Sequence, residues 1–81
     1  MDDESILRRI NALIDREHEI RAGRQNGTVG QETEVRELVD VEVELDQCWD
    51  LLRQRRAKRD FGRDADEAEP RSPNVVERYW Q

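Results

Sequence analysis

The stretch "LVDVEVELDQCWDLL", Leu38 to Leu52, decides the fold. Leu38, Val41, Leu45, Cys48 and Leu52 keep a 3-4 spacing, which lines them along one face of an α-helix. Val35 and Trp49 widen that stripe along one flank. Neither Pro nor Gly occurs from Gln31 to Asp60, so the helix is read over 31–60. At 1.5 Å per residue it is about 45 Å long.

Working upstream, Ile6, Ile10, Leu13 and Ile20 repeat the helical spacing, with Glu17 in the gap. Leu7 and Ile14 broaden the stripe on one side, enough for a bundle rather than a narrow seam. A first helix is therefore read over 3–22, with Asp2 or Asp3 as its N-cap and Gly23 as its C-terminal stop. Residues 23–30, "GRQNGTVG", hold three of the four glycines and an Asn-Gly pair, and form a short loop. Thr28 with Gln31 offers a capping box for the second helix, and Gly30 is the alternative cap. A short loop between helices favours antiparallel neighbours. That register places Ile20 near Val35, Leu13 near Val41, and Ile6 near Cys48 and Trp49. The charges suit it: the second helix is acidic early and basic late, and Asp2, Asp3 and Glu4 meet its basic end.

Downstream, "FGRDADEAEPRS", residues 61–72, is polar and acidic with Gly and Pro, and reads as a flexible linker. Order signals then return. Ser72 suits a cap, Pro73 the first helical position, and Val75, Val76, Tyr79 and Trp80 an apolar surface. Residues 73–81 are read as a short docking tail, and the class is all-α.

Composition limits what such a chain can do alone. Of 81 residues, 35% are hydrophobic and 42% charged. A domain this small buries little surface and needs a staple or a partner. One cysteine excludes an internal disulfide, and one cysteine with one histidine cannot form a zinc finger. Self-association remains. Two hairpins forming a homodimeric four-helix bundle would cover the open side and Trp49.

The net charge of −6 disfavours nucleic acid as a partner. No apolar run is long enough to span a membrane, and the acidic start is unlike a signal peptide, so the expected location is the cytoplasm. Three features have the residue types for chemistry. Cys48 is on the seam between Leu45 and Leu52, where a thiol is a small inert hydrophobe. Glu17, His18 and Glu42 form a polar anomaly that two chains could bring together as a metal site, although the spacing of di-iron bundles is missing. A register-fixing ion pair with Arg21 is the plainer account. The run "RQRRAKR", Arg53 to Arg59, has the one-sided basic character of a phosphate-binding surface, set against pairing with the acidic helix ends. No nucleophile–base set or glycine-rich phosphate loop is present.

The block "VELDQCWDLLRQRRAKR", with "DREHEIR" at Asp15–Arg21 and "PNVVERY" at Pro73–Tyr79, resembles a family of short actinobacterial proteins described only as a domain of unknown function. The resemblance spans nearly the whole chain and implies a small helical protein with no assigned activity, cofactor or substrate. The expectation is thus a non-enzymatic interaction or assembly module without a cofactor. Its partner-facing residues are Trp49, Leu52, Arg55, Arg56, Arg59, Val76, Tyr79 and Trp80. Nucleic-acid binding at the basic end and metal binding at Glu17, His18 and Glu42 are the alternatives.

Overall fold

The structure, a computed structural model, describes residues 2–80, with side chains through Glu77. Three helices form in order: α1 over Asp3–Gln25, α2 over Gln31–Asp60 and α3 over Pro73–Trp80. A single 3-10 turn, Ala65–Glu67, interrupts the segment between α2 and α3. The antiparallel hairpin with a longer second helix is as the spacing indicated.

Local chemistry sets the helix ends. The Asp2 carboxylate accepts from the Ser5 N–H at 2.8 Å and caps α1, which also holds that carboxyl below the usual aspartate range. Gly23 is not the stop. α1 continues to Gln25, and the chain turns at Gly27, whose φ of 81° is the left-handed position closing a helix. The Gly27 N–H donates to the Arg24 carbonyl and the Thr28 N–H to the Gly23 carbonyl, pairing two acceptors of the last turn. Gly23 serves another purpose: a Cβ there would lie 2.7 Å from Val29 Cγ2, so only glycine admits the returning loop. The Thr28 hydroxyl points back to the Gly23 carbonyl and the Asn26 side chain. Gly30 is therefore the N-cap of α2, with no side-chain cap bond.

The core has two parts. Leu13, Ile20 and Val41 pack with Leu38, Leu45 and Cys48 near the loop. Ile6, Ile10 and Leu51 pack with Leu45, Cys48, Leu52 and Ala68 toward the open end. The stripe read from the sequence is this core, with two corrections. Leu51 takes a buried place, and Val35 and Trp49 stay outside, Trp49 being 42% exposed. Trp49 and Leu51 stand equally far round α2 from Val41 on opposite flanks; Ala68 packs on the Leu51 side, while the flank of Val35 and Trp49 is left exposed.

The segment expected to be a flexible linker lies along α2. Ala68 joins the core, the Gln54 side-chain amide donates to the Glu69 carbonyl at 2.8 Å, and that of Gln47 to the Arg71 carbonyl at 3.2 Å. α3 then packs on α2 of its own chain, with Ser72 receiving the Val75 N–H and Val76 fully buried. Asp50, where α3 begins, is nine residues after Val41, half a turn round the helix. α3 therefore occupies the side of α2 turned away from α1, and among the described residues α1 and α3 do not pack together.

Three helices side by side make a slab one helix thick, 51 × 25 × 14 Å. Its two broad faces differ. On one, Arg9 pairs with Glu44 and Arg16 with Glu37 (3.3 Å), bridging α1 and α2. Residues 61–72 cross that same face, with Pro70 beside Arg9, Glu44 and Leu51. Among the described residues, the other face carries no such bridge.

Candidate functional site

The bare face is built by spacing. Leu7, Ile14 and Val35 each stand two residues from Arg9, Arg16 and Glu37, and two residues turn a helix by about 200°. The ion pairs on one face thus put these apolar side chains on the other. Leu7, Ile14, Val35 and Trp49 are all exposed. Leu38, Leu45 and Leu52 lie partly covered between them. Glu42 is seven residues from both Val35 and Trp49, so it is on the same edge of α2 and is exposed. Leu, Ile, Val and Trp with a few charges thus form an exposed apolar patch, the composition common at interaction surfaces.

The polar anomaly resolves differently. Glu17 is half-buried and stands 3.9 Å from Arg21 of its own helix, the i to i+4 pair that the spacing allows. His18 is exposed on α1, and Glu42 is on α2. Among the described residues, no three His, Cys, Asp or Glu side chains within the chain are grouped to hold a metal ion. Cys48 is partly buried, and burial pushes its thiol up, with Arg9 pulling the other way and Glu44 adding to the rise. That is the environment of an unreactive thiol.

The basic end of α2 is largely occupied. Arg55, expected as a partner-facing residue, is only 6% exposed. It donates to Asp3 at 2.5 Å, to Asp66 at 2.8 Å and to the Ala65 carbonyl. Arg59 also pairs with Asp3 at 2.8 Å, and both arginines hold the Asp3 carboxyl below the usual aspartate range. Lys58 and Arg63 face Glu67. Arg56 is exposed. Phe61, just beyond the helix, is exposed beside Ala57, Lys58 and Arg63.

Two features escaped the spacing. Asp50 has no exposed surface, and Arg71 grips both its oxygens, with Gln54 adding a bond at 3.0 Å and Arg53 nearby at 3.5 Å. The Arg71 guanidinium, first among these, holds the Asp50 carboxyl below the usual aspartate range. Glu77 of α3 meets Asp46 of α2. Its Oε1 is buried without a partner, and the Asp46 carboxyl, burial and the Asp46 and Glu42 charges raise its pKa. Val76, counted as partner-facing, is instead buried within its own chain. The Tyr79 and Trp80 side chains lie outside the described residues.

A small all-α protein with one covered and one bare broad face is the class this geometry defines. The chain belongs to the family described as "Protein of unknown function (DUF2630)", which matches residues 2–81. It is similar to an uncharacterized protein of Mycobacterium bovis and to uncharacterized proteins of two Mycobacterium tuberculosis strains. Each is 44% identical over 77 residues, covering 95% of this chain and 88% of the relative. No solved structure matches the chain. Among the described residues, no helix is long and apolar enough to cross a membrane.

Proposed function

We propose that the protein is a non-enzymatic assembly module that pairs with a second copy of itself through the bare face of the slab, giving a four-helix bundle of two hairpins. One observation carries this reading: Leu7, Ile14, Val35 and Trp49 are exposed together on a face that, among the described residues, no intrachain element covers. The opposite face is bridged by ion pairs and crossed by residues 61–72. Leu38, Leu45 and Leu52 are only partly covered on this face, and a second slab supplies the missing layer. Leu52 contributes from the interior edge and Trp49 is the largest anchor. The engagement of Arg55 and Arg59 by Asp3 and Asp66 weighs against the phosphate-binding alternative.

Sedimentation equilibrium across a micromolar concentration range tests the reading. A dimer is expected, and Ile14→Glu with Trp49→Glu should return a monomer that keeps its helical circular dichroism. A wild-type chain that stays monomeric and fully helical throughout that range would sink it.

A further inference from the structure

α3 is held on α2 by two contacts of opposite character. At its start, Arg71 clasps the buried Asp50, and the Gln47 amide fastens the Arg71 carbonyl. Four to six residues on, Glu77 faces α2 carboxylates. α3 runs back along α2, so Glu77 arrives beside Asp46 with Glu42 one turn further. Among the described residues, α1 and α3 do not pack together. Arg71 and Arg53 both pair with Asp50, near the start of α3. Two ionised carboxylates are acceptors only, and cannot bond to each other; one proton between them makes a bond possible. The buried, unpartnered Glu77 Oε1 marks where that proton is wanted. Between the two contacts, one apolar side chain, Val76, is fully buried.

We propose that α3 is a proton-sensitive strap: with Glu77 protonated it lies flat on α2, and with Glu77 ionised its later half is pushed off by Asp46 and Glu42 while Arg71 keeps its start attached. Loss of the strap bares the third side of α2, around Val76's seat, without disturbing the α1–α2 core. The raised pKa of docked Glu77 fixes the sign. Its stabilising effect is complete below the ordinary glutamate value near 4.5 and is lost as pH rises through the docked value. Each pH unit of separation between docked and free values changes docking about tenfold.

The test is a pH titration by NMR from pH 4.5 to 8, following the Glu77 side-chain carboxyl carbon, the Val76 methyls and the α3 amide protection factors. The Glu77 carbon is expected to titrate above the ordinary glutamate midpoint. Val76 shifts and α3 protection should change with the same midpoint, while Ile10 and Val41 stay constant. Glu77→Gln should keep α3 protected at pH 8, with protection about tenfold or more above wild type for a one-unit shift, and Asp46→Asn should do likewise. An ordinary Glu77 midpoint, α3 protection that ignores pH, or a Glu77→Gln chain whose α3 is less protected than wild type at pH 8 would each overturn the proposal.

Discussion

Asp50 shows how far one residue's role depends on a distant stretch of chain. On a helical wheel it is opposite the apolar stripe, the normal place for a solvated carboxylate. It is buried because Arg71, twenty-one residues later, folds back onto it. Nothing in the 3-4 spacing announces that, since the spacing reports only the side of α2 that meets α1. The available hint was the Ser72-Pro73 helix start followed by Val75 and Val76, which said that something docks but not where. Asp50→Asn keeps the shape and removes the charge that Arg71 grips. We expect a loss of about 1–3 kcal/mol in urea unfolding, the range for a broken hydrogen-bonded charge pair with one partner near solvent. Amide protection of α3 should fall with it. Acid should imitate the substitution. The depressed Asp50 carboxyl contributes its stability in full above the ordinary aspartate value near 3.8, and loses it as pH falls through the folded value. α3 protection measured from pH 2 to 5 should therefore decline at the acid end, centred below 3.8.

At the scale of elements, the helices were legible and their punctuation was less so. The α2 stripe from Leu38 to Leu52 and the α1 set of Ile6, Ile10, Leu13 and Ile20 became the core because 3.6-residue periodicity leaves few other arrangements. Gly23 misled because glycine can end a helix or admit a close neighbour, and the sequence does not say which. The Asn-Gly pair carried the better signal, since Gly27 supplies the positive φ. A double-mutant cycle separates the two roles. Gly23→Ala alone should not give the gain of about 1 kcal/mol usual for Gly to Ala inside a helix, because its Cβ meets Val29. In a Val29→Ala background the same substitution should be more favourable by about 1 kcal/mol or more, read from thermal melts. Gly30 is a simpler case. Its φ of −76° suits any residue, no atom crowds its Cβ, and α2 starts without a side-chain cap. Gly30→Ser should stabilise the fold by about 0.5–1 kcal/mol in the same melts, by capping and by restricting the unfolded chain.

For the whole molecule, the slab is the feature that spacing could only half express. The wheel put Val35 and Trp49 on a flank of α2 and Leu7 and Ile14 on a flank of α1. That both flanks belong to one face follows from the antiparallel packing and from the ion pairs holding the other face. Trp49 therefore separates two kinds of stability. Trp49→Ala should cost the isolated hairpin far less than a core truncation such as Ile10→Ala, for which about 2–5 kcal/mol is expected. The same Trp49→Ala should weaken self-association tenfold or more, a loss of at least about 1.4 kcal/mol, in sedimentation equilibrium. A Trp49→Ala chain that unfolds as readily as Ile10→Ala would place the tryptophan in the core after all. Arg55 joins distant parts of the chain in another way. Through it, Asp3 from the opening turn of α1 and Asp66 from the 3-10 turn are held to one guanidinium. The early and late stretches of the polypeptide are thus anchored at one point, so two dyes attached near residues 3 and 66 form a short molecular ruler. Their energy transfer would report the seating of residues 61–72 in real time, and a bulky fusion placed just ahead of Asp3 would press on that same spot.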